Sequence, residues 1–209
     1  MISTYEDKPD TPKYKGKKDN KKREFKPPKK ISERYLYKSG IAYLQRFPAS
    51  SQHFKFIMMR KIQKSCRHHV EQDIEQCKKW LDELVLKFQD LSLLDDNAYL
   101  KGMVTSLRRR GLSSMQIEMK LQQKGYVREK IKMELASHDR DEYRTEEKGD
   151  IYAALIFARK KRLGPYDIEQ KKSPEKSLAT MARAGYGYDI AKKTLEMSLE
   201  EVEEKTTRL

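Results

Sequence analysis

From residue 31 onward, apolar side chains recur at steps of three and four, strand-like alternation is absent, and glycine and proline are sparse. Val70, Ile74, Cys77, Leu81, Leu84, Val85 and Phe88 form one continuous stripe, which predicts a long amphipathic helix with a single buried face. The fold class implied is all-α.

The pattern also repeats. Ser113 stands where a helix N-cap belongs, Gln116 follows three residues later as in a capping box, and Ile117 and Leu121 fall on the inner face. Gly125 then stops the helix as a left-handed residue beyond its C-terminus. Sixty residues further on, Ser173, Pro174 and Glu175 open a helix, Met181 corresponds to Leu121, Gly185-Tyr186 to Gly125-Tyr126, and Leu195 to Leu135. Sixty-three residues back from Ser113, Ser50, Phe54 and Met58 take the places of Ser113, Ile117 and Leu121, while Leu44 and Arg46 match Leu107 and Arg109. There Ile62 replaces the glycine, so that helix is expected to continue through Lys64 and break around Arg67 to His69.

Three units of three helices follow. The predicted helices are Arg34 to Arg46, Ser51 to Lys64 and Val70 to Gln89; Asn97 to Arg110, Ser114 to Lys124 and Val127 to Ser137; Glu147 to Arg162, Pro174 to Ala184 and Tyr188 to Met197. The units span 31–93, 94–140 and 141–209. Each is too small to bury much core alone, so they are expected to stack into an elongated, curved row. Leu91 to Asn97 leaves no room for a flexible linker; Ala136 to Glu146 reads as the one loose connection.

Charge adds a partner class. The 46 basic and 32 acidic side chains leave a formal charge of +14, which favours a polyanion such as nucleic acid or anionic lipid. Residues 1–30 hold eleven Lys or Arg, five Asp or Glu and four Pro with hardly an aliphatic residue, and read as a disordered basic arm. Such an arm is either a solubilising tail or a nonspecific phosphate contact. Two cysteines, Cys66 and Cys77, make no disulfide framework and read as reduced. No apolar run approaches the roughly 20 residues of a membrane span and no signal core is evident, so a cytoplasmic site is expected.

The candidate contact residues are cationic. Arg108, Arg109 and Arg110 close the first helix of the second unit, and Arg159, Lys160, Lys161 and Arg162 close that of the third. Cations there offset the helix dipole by about 0.3 to 1 kcal/mol each without any ligand. Three in a row nevertheless spread over about 200° of circumference, more than dipole capping requires. In the first unit Arg60, Lys61, Lys64 and Arg67 lie on the middle helix, with Arg60, Lys64 and Arg67 on one face as a phosphate-binding stripe.

Cys66, His68, His69 and Cys77 lack the paired spacing of a known zinc module. Tyr126 and Tyr186 suit the apolar contact of a glycine C-cap, with base stacking as the other reading. Trp80 reads as core, and Asp95 and Asp96 as caps. No phosphate loop, nucleophile constellation or dinucleotide fingerprint is present, so no catalytic residue, metal or cofactor is nominated and an enzyme is not expected.

Together these residues resemble a known family. Leu93-Leu94-Asp95-Asp96-Asn97-Ala98-Tyr99, Leu107-Arg108-Arg109-Arg110-Gly111 and Lys124-Gly125-Tyr126 look like the landmarks of the bacterial regulatory protein RecX. Ala158 to Tyr166 and Ala182 to Asp189 look like its C-terminal signature. The resemblance covers roughly Tyr37 to Leu195. It implies three tandem three-helix repeats that modulate the RecA recombinase in DNA repair and recombination. The implied mode is inhibition of RecA's ATPase, strand exchange and coprotease activities from within the groove of the RecA–DNA filament. The Arg67-His68-His69 break resembles alphaproteobacterial-type members, and the acidic Glu200 to Glu204 tail departs from the pattern.

The expected partners are therefore the RecA filament and single-stranded or duplex DNA, with no membrane, for a chain acting as a monomer. A free-standing helical-repeat DNA-binding protein is the alternative, and a protein scaffold without nucleic acid a third.

Overall fold

The computed structural model describes residues 27–144, 148–169 and 171–206. Nearly all of the basic arm lies outside them. Among the described residues the chain is all-helical, with ten α-helices and no strand. They are α1 (Glu33–Leu44), α2 (Ser51–His68), α3 (Ile74–Asp90), α4 (Asp96–Arg109), α5 (Ser114–Gln122), α6 (Arg128–Tyr143), α7 (Gly149–Lys161), α8 (Pro174–Arg183), α9 (Tyr188–Glu196) and α10 (Leu199–Thr206).

The middle helix of each triplet starts from the serine the pattern nominates. Ser50, Ser113 and Ser173 are extended residues whose hydroxyls accept from the backbone N–H of His53, Gln116 and Lys176, which satisfies donors the helix cannot. Gly125 and Gly185 sit at φ +89° and +79°, and the N–H groups of Tyr126 and Tyr186 bond back to the carbonyls of Leu121 and Met181. These are glycine stops of the Schellman type.

Three successive clusters form the core. Leu36, Phe54, Met58, Ile62, Cys77, Leu81 and Phe88 bury against one another between α1, α2 and α3. Leu100, Val104, Leu107, Ile117, Leu121, Ile131 and Leu135 do so between α4, α5 and α6. Ala153, Ala154, Ala158, Leu163, Met181, Tyr186 and Ala191 fill the third, between α7, α8 and α9.

Three expectations are corrected and one is met. Val70 leaves the stripe: it is 89% exposed, because Asp73 caps Glu75 and α3 begins only at Ile74. The first unit's middle helix passes Lys64 and ends at His68, at the break expected around Arg67 to His69. α6 does not end near Ser137 but runs to Tyr143, held by the buried His138, Asp139 and Tyr143, so the stretch read as loose is largely helix. The acidic tail is α10, where Ser198 and Glu201 form a reciprocal capping box and Val202 and Met197 pack on Leu155. The spacing Ser198-x-x-Glu201 was the missed signal.

Candidate functional site

Successive triplets are joined by one recurring device. Asp96, in the first turn of α4, accepts a hydrogen bond at 2.7 Å from the backbone N–H of Ser51, the first residue of α2. Asp150, in the first turn of α7, accepts at 2.8 Å from the N–H of Ser114, the first residue of α5. In each case a carboxylate from the following triplet caps the preceding triplet's middle helix, where orphan N–H groups and the helix dipole favour negative charge.

The two tyrosines complete these junctions. Tyr126 packs on the second core and donates its hydroxyl to the carbonyl of Asp96. Tyr186 is buried and donates at 2.9 Å to the carbonyl of Gly111 across the second junction. Burial pushes the Tyr126 phenol up to about 12, with the charge of Asp96 adding to it, and raises that of Tyr186 further still. Their roles are packing and a hydrogen bond, which leaves no face of Tyr186 for a base.

The second junction holds a feature the first lacks. Arg108 is only 1% exposed, and all five of its N–H donors are used. Its Nε and Nη2 grip Asp139 as a fork, Nη1 donates to Asp150 at 2.6 Å and to the carbonyl of Leu112, and Nη2 also meets the Ser114 hydroxyl at 2.8 Å. The His138 ring nitrogen Nδ1 lies 3.2 Å from Asp139. Burial alone would lower the guanidinium's pKa, but Asp139 and then Asp150 outweigh it and hold the pKa above its ordinary value.

Arg108 therefore leaves the candidate contact surface. Its neighbours stay on it: Arg109 and Arg110 are exposed at the end of α4, and Arg159, Lys160, Lys161 and Arg162 are exposed at the end of α7. Lys160 Nζ donates to the carbonyl of Arg110 at 2.9 Å, which brings these two cationic ends together. Arg60, Lys64 and Arg67 lie exposed along α2, whereas Lys61 is half-buried and donates to the hydroxyl of Ser39. No described contact joins the α2 stripe to the other two clusters.

Cys66 and Cys77 do meet, and burial together with the neighbouring Cys66 pushes the Cys77 thiol up to about 11, so Cys77 sits as a neutral thiol. Among the described residues no three His, Cys, Asp or Glu side chains converge as a metal site, and no helix is long and apolar enough to cross a membrane.

No protein-family model matches the chain. Its fold is shared with the crystal structure of RecX from Lactobacillus salivarius, at a TM-score of 0.55 and 14% identity over 78% of this chain and 94% of that one. Sequence similarity is much stronger elsewhere. The regulatory protein RecX of Myxococcus xanthus (strain DK1622) is 34% identical over 184 residues, covering 87% of this chain and 95% of that protein. The chain belongs to the RecX family. A second RecX, from Agrobacterium fabrum (strain C58 / ATCC 33970), is 35% identical over 129 residues, or 60% of this chain and 65% of that protein. As a RecX-family member the chain is a regulatory protein.

Proposed function

We propose that this chain binds the RecA–DNA filament and lowers RecA's ATPase, strand-exchange and coprotease activities. The observation that carries this reading is the end-to-end similarity to a RecX, which covers nearly the whole of that protein. The reading divides the chain into units 31–93, 94–140 and 141–209, stacked in a row and acting in the cytoplasm as a monomer. A row of helical units whose junctions are hydrogen-bonded presents its exposed cations at fixed separations, which suits a repetitive nucleoprotein groove. No helix carries an Asn, Gln and Arg set for reading base edges, so binding is broad in sequence and sensitive to salt. Regulation follows if the chain binds one filament state better than another.

In this reading Arg109, Arg110, Arg159, Lys160, Lys161 and Arg162 meet DNA phosphate or acidic RecA surface. The test is the single-strand-dependent ATPase of RecA, titrated with the full chain and with an Arg109→Ala, Arg110→Ala variant at low and physiological salt. Inhibition well below one molecule per RecA protomer, weakened in the variant, is the expected result. An unchanged rate with intact DNA binding would remove RecA and leave the free-standing DNA-binding reading in its place.

A further inference from the structure

The two cysteines take no part in either junction or in the cationic clusters. Cys66 lies near the end of α2 and Cys77 in the first turn of α3, eleven residues apart across the elbow between those helices. Neither is in a disulfide. Cys77 is fully buried in the first core, and Cys66 packs on the same core while remaining partly open to solvent. The two thiols hydrogen-bond one another.

The elbow holds them there. The His69 N–H bonds the Ser65 carbonyl at 2.8 Å, the Gln72 N–H bonds that of His69 at 3.0 Å, and the Asp73 side chain caps α3 at Glu75. The Ser65 hydroxyl, beside Cys66, donates to the Gln72 side chain. Both helix ends are therefore fixed where the sulfurs meet. Contact between the sulfurs is the condition that most cysteine pairs in a fold fail, since a disulfide cannot form between side chains held far apart.

Their surroundings give the two thiols different parts. Burial, and then the neighbouring Cys66, push the Cys77 thiol up to about 11, so it keeps its proton near neutrality and is closed to solutes. Cys66 is the sulfur that a solute can reach. An oxidant therefore meets Cys66 first, with the only other thiol of the chain already against it.

We propose that Cys66 and Cys77 are a peroxide-responsive pair, in which oxidation converts the thiol contact between α2 and α3 into a reversible disulfide. The deprotonated Cys66 sulfur attacks one oxygen of hydrogen peroxide, the O–O bond breaks, and the departing hydroxide takes up a proton to leave as water; Cys66 becomes a sulfenic acid. Cys66 then bears no negative charge, which removes one of the causes that hold the Cys77 proton. The Cys77 sulfur attacks that of Cys66, the S–O bond breaks, and hydroxide leaves with the Cys77 proton as a second water. Two thiols lose two electrons, and one peroxide is reduced to two waters. In a reducing compartment such a bond lasts only while oxidant persists, so it is a signal and not a staple. It ties the end of α2 to the start of α3 whether or not RecA is the partner.

The test treats the reduced full-length chain with hydrogen peroxide at neutral pH, alkylates the remaining thiols and maps the peptides by mass spectrometry without reductant. The expected product is a Cys66–Cys77 link within a single chain, lost on adding dithiothreitol, with the oxidised chain melting about 5 to 10 °C above the reduced one. Cys77→Ala should stop at a Cys66 sulfenic acid that dimedone traps, and Cys66→Ala should slow oxidation of Cys77 at least about 10-fold. Thermal melts confirm that the reduced variants fold, and Cys77→Val replaces Cys77→Ala if the smaller side chain does not. Peroxide that leaves both thiols open to alkylation, that carries Cys66 to sulfinic acid with Cys77 untouched, or that yields only links between molecules would overturn the proposal. So would oxidation of Cys77 at the same rate with and without Cys66.

Discussion

The two junctions between helical triplets are built alike and held differently. At both, a carboxylate from the next triplet caps the previous middle helix, Asp96 on Ser51 and Asp150 on Ser114, and a tyrosine follows a glycine stop, Tyr186 bonding across the contact to Gly111 and Tyr126 bonding Asp96 of its own triplet. Only the second adds a buried cation, Arg108, saturated by Asp139, Asp150, Ser114 and Leu112. Its first-triplet counterpart is Gln45, which is exposed. A buried ion pair is weak as a source of stability and strong as a constraint on geometry, since no other docking satisfies five donors and two carboxylates at once. The second junction therefore has the more exacting set of polar contacts.

The third triplet makes the same point from the other side. Leu112 N–H bonds the carbonyl of Leu107, and Leu163 N–H bonds that of Ala158, so Arg159 stands where Arg108 stands. Arg159 is exposed, and among the described residues no carboxylate pairs with it as Asp139 of the same triplet and Asp150 of the next pair with Arg108. The residue type is the same; what differs is the set of carboxylates packed against it.

The largest expected effect tests that contrast. Arg108→Ala strands two carboxylates, one of them fully buried, and should cost about 3 to 5 kcal/mol in urea denaturation. Arg159→Ala should stay within about 0.5 kcal/mol; equal losses at the two sites would end the comparison. Next, Gly111→Ala should cost about 2 to 3 kcal/mol, since φ is +73° and the new Cβ would meet Ala153 O and Phe157 N of α7 at 3.0 Å. Asp96→Ala, which removes a cap at the first junction without stranding a cation, should cost about 1 kcal/mol.

Tyr186→Phe should cost about 1 kcal/mol, and Tyr126→Phe less, because its bond is longer at 3.2 Å and only half-buried. The smallest effect is alkaline. Tyr126 titrates at about 12 in the folded chain against 10 when unperturbed, so its contribution is complete below pH 10 and is lost as the pH rises through about 12. Unfolding of the wild type at pH 9 and 11 should differ more than that of Tyr126→Phe.

Much of this architecture is legible in the sequence because its signals are local. Ser50, Ser113 and Ser173 mark helix starts, Gly125 and Gly185 mark stops, and the three- and four-residue spacing marks the faces that become core. These features depend on a turn or two of chain. α10 was legible too, through Ser198 and Glu201, but a run of glutamates hides it. Val70 extends the apolar rhythm without belonging to the helix, because Asp73 starts α3 one turn later.

By itself, then, the sequence determined an all-helical chain of repeated three-helix patterns, the serine starts of its middle helices with two of their glycine stops, and its cationic composition. Only the tertiary structure decided which cations are available. Consecutive residues on a helix point about 100° apart, so Arg108, Arg109 and Arg110 necessarily diverge, and nothing within that turn says which of them will be covered. That was set by Asp139 and Asp150, 31 and 42 residues further along, carried to Arg108 by the docking of α6 and α7.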